Sequence, residues 1–399
     1  MNLRLPVYDV GKGNILFALA FIDAENRMRR LGQTFPWEKS EIFSLPSKSA
    51  AEFHKRISVD PAAARVYSNG VAYNLLRTVG RRLITDEDTK RFCEEAAETG
   101  DGVFAFQNMV LEYMMKVRKG NKVGVYSPDS IHKPGIPQDI DFAVLRDERY
   151  VDDFSKDFPD LSRNHILASP LIPELIARGR EEHYARRKES RRRGDKLHIV
   201  LNPSRSGVPY YGHPLMLSLT TLLGEGHSLT VIGSEPKSDE TMILCAEAYC
   251  EKHGLRDDIV DGVYTRPEEG RVRYVKNYDV MKLIHEATKA ICDADLVVCP
   301  SNEAAVILKM GFCPGVIYRS DRGIHEIRNR EEAEGDGTVY VLKGDNERQY
   351  LTCADQIRGV ERQLDAMMER CHTYAGPYEG NEKVVQFVAR MILLYDRNL

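Results

Sequence analysis

Short apolar runs that do not alternate with polar residues constrain this chain more than any other feature. KLHIVL (196–201), DLVVC (295–299), KVGVYS (122–127) and GVFAFQ (102–107) each stay apolar or small through most of their length. A strand with one wet face would alternate apolar and polar residues, so these runs read as strands buried on both faces. Between them lie helix-period segments closed by glycine, such as Ile15–Arg30 before Gly32 and Asn108–Lys119 before Gly120. Strand and helix take turns along the chain. The expected fold class is therefore α/β, with parallel sheets covered by helices on both faces.

The alternation occurs twice. In the first half, strands are expected at Leu3–Asp9, Glu41–Leu45, Gly102–Gln107, Lys122–Ser127, Phe142–Leu145 and His165–Ala168, with further helices at Pro61–Val79, Asp86–Thr99 and Glu148–Phe158. In the second half, strands are expected at Lys196–Leu201, His227–Ile232, Ile259–Tyr264, Val272–Val275, Asp295–Cys299, Gly315–Tyr318 and Thr338–Leu342. Helices are expected at Pro214–Leu223 (with proline in the first turn), Ser238–His253, Tyr278–Cys292, Ser301–Met310, Asn346–Arg370 and Asn381–Leu394. A chain of 399 residues exceeds what one core usually organises. The break is expected at Arg178–Lys196, where nine basic and four acidic residues leave little to bury. The expected division is an N-terminal Rossmann-like domain over 1–180, a basic linker over 181–196, a C-terminal Rossmann-like domain over 197–380, and a last helix over 381–399. That linker reads either as a solvated helix or as a patch facing acidic lipid or an anionic acceptor, a possible peripheral membrane contact.

A net charge of −4 argues against a dedicated nucleic-acid binder. No apolar run approaches the ~20 residues that span a bilayer, and the first residues carry no leader pattern. The eight cysteines form no CxxC pair and no cluster at metal-ligand spacing, so no metal site is expected. Reduced thiols in a cytoplasmic protein are the expectation.

Ligands of open α/β sheets bind beyond the carboxyl ends of the strands, where helix N-termini offer free N–H groups to phosphate. Three loops there have suitable residues. Asn202-Pro203-Ser204-Arg205-Ser206-Gly207 supplies hydroxyls, a guanidinium and glycine. Pro300-Ser301-Asn302-Glu303 follows DLVVC. Gly11-Lys12-Gly13-Asn14 follows the first strand but matches neither the dinucleotide nor the Walker spacing.

The stretch Val275–Asn329 resembles the donor-binding region of GT-B glycosyltransferases, in the style of the bacterial N-acetylglucosaminyltransferase of peptidoglycan synthesis and the UDP-GlcNAc 2-epimerase group. It shares the order of a short polar segment, a helix (Met281–Cys292), a strand entering a serine loop (Asp295–Ser301), a helix closed by glycine (Ala304–Gly311), a proline-linked strand (Pro314–Tyr318) and a polar loop (Asp321–Asn329). The resemblance implies two Rossmann-like domains with parallel sheets facing across a cleft, and a last helix returning to the first domain. It implies transfer of a sugar from a nucleotide-sugar, UDP-linked by expectation, to an acceptor, with no metal or other cofactor required.

By position, Val275 and Asn277 would lie against the base through backbone atoms. Ser204, Arg205, Ser206, Ser301, Asn302 and Glu303 would face the diphosphate and ribose, and Arg322, His325 and Glu326 the donor sugar. Gly11, Gly13 and Asn14 would form an acceptor-side loop. Two positions depart from the family pattern: Asn14 stands where a histidine is common, and Val306 where a ribose-binding glutamate is common. A general base would then come from Asp129 or His132, in the loop after KVGVYS. Two other readings stay open: a nucleotide-sugar 2-epimerase, and a catalytically silent protein that binds a nucleotide or glycan.

Overall fold

The computed structural model describes residues 1–8, 12–45, 87–106, 108–128, 136–202, 208–233, 257–261, 263–276, 280–301, 304–319, 324–374 and 380–394, with a few isolated positions between 248 and 254. These residues form two compact units. One holds the residues up to Glu174 together with the C-terminal helix Asn381–Leu393. The other runs from Leu175 to the helix Leu364–Tyr374. The expected helices Pro61–Val79 and Ser238–His253 lie outside the described residues.

The first unit is a six-stranded sheet in the order β2-β1-β3-β4-β5-β6. The strands are β1 (Leu3–Tyr8), β2 (Ser40–Leu45), β3 (Gly102–Ala105), β4 (Val123–Ser127), β5 (Phe142–Leu145) and β6 (Ile166–Ala168), and every pairing is parallel. The helices are α1 (Lys12–Arg30), α2 (Glu87–Thr99), α3 (Asn108–Val117) and α4 (Val151–Asp157). β3, β4 and β5 are buried along their whole length, as their unbroken apolar sequence requires. Close approach matters at Gly124, where a Cβ would overlap the Phe142 ring of the neighbouring strand.

The second unit is a seven-stranded parallel sheet in the order β13-β12-β11-β7-β8-β10-β9. Helix α5 (Glu174–Arg193) leads into β7 (His198–Leu201). Then come α6 (Val208–Thr220), β8 (Ser228–Ile232), β9 (Asp257–Asp261), β10 (Val272–Lys276), α7 (Val280–Asp293) and β11 (Leu296–Cys299). β12 (Gly315–Ile317), α8 (Ile324–Gly335), β13 (Val339–Val341), α9 (Asn346–Leu351), α10 (Cys353–Val360) and α11 (Leu364–Tyr374) complete it. One core cluster joins α6, α9 and α10 to the sheet through Leu215, Leu219, Leu229, Val298, Tyr350, Ala354 and Ile357.

Three expectations about elements are corrected. Residues 181–196, expected as a linker, belong largely to α5, which buries Arg187 inside the unit and leaves Arg178, Lys188, Arg192 and Arg193 exposed. Arg187 is 1% exposed and donates to the carbonyls of Ile291, Cys292, Ala294 and Gly311 at 2.6–3.3 Å. It thereby satisfies the last carbonyls of α7, which a helix leaves without partners of its own. Lys188 pairs with Glu369, and Arg191 with Glu361. Second, Pro214 lies inside α6 rather than in its first turn, because that helix begins at Val208. Third, the expected helix Asn346–Arg370 is broken: Thr352 turns its hydroxyl back onto the Arg348 carbonyl (2.8 Å), and a 3-10 turn at Glu361–Gln363 precedes α11. No helix among the described residues is long and apolar enough to cross a membrane.

Candidate functional site

In each sheet the strand order reverses once, and the reversal marks where a ligand crevice forms. In the second unit the chain leaves β7 toward β8, then returns to place β11 on the other side of β7. The residues following β7 and β11 therefore flank the switch point. After β7, the Asn202 N–H donates to the Val298 carbonyl (2.9 Å), so the ladder runs one residue past the strand. After β11, Pro300 ends the run and Ser301, 3% exposed, opens a helical turn. Ala304–Leu308 form a π-helix. Such wide turns leave i→i+4 partners unused and are frequent at functional sites. Gly311 then accepts Arg187 at its carbonyl, and Phe312 takes a left-handed φ of 54°, turning the chain back into β12.

The next two strands end in the same way. Past β12, the N–H of Arg319 donates to Oε1 of Gln349 (2.8 Å), and the Arg319 carbonyl accepts from Nε2 of Gln349 (3.4 Å) and the Tyr350 hydroxyl (3.1 Å). Past β13, the N–H of Lys343 donates to Oε1 of Gln356 (2.7 Å), and its carbonyl accepts from Nε2 of Gln356 (3.0 Å). Each glutamine replaces the neighbouring strand that the exiting residue lacks. Sequence reasoning missed all four residues. Their only signal is two glutamines seven positions apart after the last strand.

Of the residues singled out from sequence, the structure describes only some. Ser301 stands two residues past β11, at the switch point. Val275 is a buried residue within β10, and its carbonyl accepts from the Gly233 N–H (2.9 Å). Any main-chain contact to a base through this carbonyl would have to share it. His325 and Glu326 fall in the first turn of α8, where Glu326 is half-buried and its charge suits the positive helix end. Gly13 and Asn14 lie in the first turn of α1, Asn14 half-buried. Val306 is buried within the π-turn. Gly11, Asp129, His132, Ser204, Arg205, Ser206, Asn277, Asn302, Glu303 and Arg322 lie outside the described residues.

A dense charge cluster among the described residues lies elsewhere. At the opposite, amino end of β7 and β11, Arg266 contacts Asp295 (2.7 Å) and Arg186 contacts Asp293 (3.1 Å). Tyr264 donates to Asp293 (2.6 Å), and burial together with that carboxylate pushes its hydroxyl pKa up. His198, fully buried, bonds Thr230 through Nε2 (2.9 Å), and burial with Arg266 nearby pulls it down to about 4. Every charge there has an opposite, and the neutral imidazole has a hydroxyl partner. The cluster closes the bottom of the sheet, away from the strand ends where ligands sit. Among the described residues, no group of three His, Cys, Asp or Glu is placed to hold a metal.

No protein-family model matches the chain, and no curated protein matches it by sequence. Solved structures do. MnaA of S. aureus, solved with UDP, is 13% identical, with a TM-score of 0.58 over 100% of this chain and 97% of that one. The UDP-GlcNAc 2-epimerase of Neisseria meningitidis, solved with UDP-GlcNAc, is 9% identical, with a TM-score of 0.54 over the whole of both chains. MurG of Acinetobacter baumannii is 12% identical, with a TM-score of 0.53 over 98% of this chain and 100% of that one. At these identities the likeness establishes the fold: two Rossmann-like units of the GT-B type.

Proposed function

We propose that the second unit binds a nucleotide-sugar at the carboxyl edge of its sheet and that the protein transfers the sugar to an acceptor. The observation that carries this reading is the switch point between β7 and β11, with Asn202 just past one strand and the buried Ser301 just past the other. Two structures that share the fold hold UDP and UDP-GlcNAc.

In this reading UDP is the leaving group. Ser204, Arg205, Ser206, Ser301 and Asn302 take the diphosphate, with helix N–H groups and cations stabilising the charge that develops as the glycosidic C–O bond breaks. No metal is called for. Val275, Asn277 and Glu303 lie toward the nucleoside, and Arg322, His325 and Glu326 toward the sugar. Asp129 or His132 takes the proton of the acceptor hydroxyl as it attacks the anomeric carbon. Gly11, Gly13 and Asn14 border the acceptor.

Glu326 favours a second reading, a nucleotide-sugar 2-epimerase, since a half-buried carboxylate at the head of α8 could move a proton on the sugar. One experiment separates the readings: UDP release from UDP-GlcNAc and UDP-glucose, with and without a panel of glycan and lipid acceptors. Release only with an acceptor supports transfer. Release without one supports the epimerase. Binding without turnover leaves a silent binding protein, and no binding of any nucleotide or nucleotide-sugar sinks all three.

A further inference from the structure

β12 and β13 pair in register, Gly315 with Val339, Val316 with Tyr340 and Ile317 with Val341. Two residues past each strand stand Arg319 and Lys343, at equivalent positions on neighbouring exits. Both side chains are exposed. Both backbones are held at N–H and C=O by a glutamine: Gln349, 1% exposed, for Arg319, and Gln356 for Lys343. The clamps are themselves braced. Tyr350 donates to the Arg319 carbonyl, Tyr340 donates to Gln356 (3.3 Å), and Gln356 donates to Thr352 (2.9 Å). The ammonium of Lys343 lies 6.0 Å from the Tyr340 ring centroid.

Neighbouring strands run ~4.8 Å apart, and like charges on facing positions repel. Among the described residues, no carboxylate pairs with either cation. A turn that served only to leave the sheet would be as well made by glycine or asparagine. Here the main chains of two cationic residues are instead held at neighbouring strand exits, one by the buried Gln349 amide and one by the half-buried Gln356 amide, which lowers the ordering penalty of gathering them on a ligand. A guanidinium fork beside an ammonium suits a carboxylate or a phosphate.

We propose that Arg319 and Lys343, held by Gln349 and Gln356, form a binding site for an anionic group of the substrate beyond its diphosphate. This rests on the nucleotide-sugar reading, because β12 adjoins β11, whose end carries Ser301. The anion belongs either to the donor, as the carboxylate of a uronic acid, or to a separate molecule, as an acceptor's phosphate.

The test is calorimetric titration of the full chain and of the double variant Arg319→Gln/Lys343→Gln, with thermal melting as the check on folding. The probes are UDP, UDP-glucose, UDP-glucuronate and, separately, inorganic phosphate with and without UDP. A donor carboxylate predicts that the wild type binds UDP-glucuronate at least tenfold tighter than UDP-glucose, and that the variant loses this preference while keeping its UDP-glucose affinity. An acceptor phosphate predicts no such preference, but phosphate binding that weakens at least tenfold in the variant. Equal binding of both anions by wild type and variant overturns the proposal. Failure of UDP itself to bind instead removes the nucleotide-sugar reading, and the phosphate titration of the nucleotide-free chain still decides whether the cation pair is a site.

Discussion

The side-chain amide of Asn381 pairs with the backbone of Ile172 as a peptide group would: Oδ1 accepts the Ile172 N–H at 2.9 Å, and Nδ2 donates to the Ile172 carbonyl at 2.7 Å. The same Nδ2 reaches the Ala20 carbonyl in α1 at 3.2 Å. Asn381 is 0% exposed, and it opens the C-terminal helix. Beside it, Arg27 of α1 bridges Glu174 and Glu382, the latter at 2.7 Å. These contacts fasten the last helix to the first unit.

Replacing Asn381 with leucine leaves the Ile172 N–H and C=O buried without partners. Each such group forfeits ~1–3 kcal/mol. Asn381→Leu should therefore destabilise the first unit by about 2 kcal/mol or more in urea unfolding, while the more exposed Arg27–Glu382 pair, removed by Glu382→Gln, should change stability by about 1 kcal/mol or less. Equal effects from the two substitutions would contradict the account.

Arg187 is the corresponding lock in the second unit. Arg187→Met keeps most of the aliphatic stem but strands the carbonyls at the end of α7. Unfolding should show a loss of about 3 kcal/mol or more. Arg192→Ala, four-fifths exposed and paired only with Glu189 three residues away, should stay within about 0.5 kcal/mol. Hydrogen exchange should place the Arg187→Met loss at the end of α7.

Acid should weaken the second unit through His198. Its imidazole is held neutral by burial, with a folded pKa of about 4 against an unfolded value near 6.5. Between those values the unfolded chain binds a proton that the folded chain does not. Stability is then full above pH 6.5 and is lost as pH falls toward 4, by about 3 kcal/mol from this residue. Burial shifts His183 and His227 in the same direction, so they add to the slope. Chemical unfolding from pH 7.5 to 4.5 should show it, and His198→Gln should flatten the curve by about one proton.

The sheets were legible because burial on both faces forces unbroken apolar runs, and β3, β4, β7 and β11 obey that rule locally. Ser301 was singled out because a strand-to-helix junction suits a hydroxyl, and the structure buries it there. The glutamine clamps and Arg187 were not. Their partners lie 13, 30 and more than 100 residues away, so nothing near them in the chain marks their role. Within the basic stretch, Arg187 was illegible for the same reason, because its carbonyl partners lie more than 100 residues away, whereas Arg178, Lys188, Arg192 and Arg193 are exposed, as a solvated helix expects.

Ser301 should matter to a nucleotide more than to the fold. A hydrogen bond to a charged phosphate contributes ~1.5–3 kcal/mol, so Ser301→Val should lower UDP affinity about tenfold or more. Ser301→Thr, which keeps the hydroxyl, should restore much of it. A UDP titration that does not distinguish the two variants would remove Ser301 from the site.

The most direct test of the nucleotide-sugar site is thermal melting of the full chain with UDP and UDP-GlcNAc. Saturation at a hundred times the dissociation constant should raise stability by ~2.7 kcal/mol, a clear upward shift in melting temperature that Ser301→Val diminishes. A melting temperature unmoved by uridine, guanosine, thymidine, cytidine or adenosine diphosphates and their sugars, at millimolar concentration, would contradict the account.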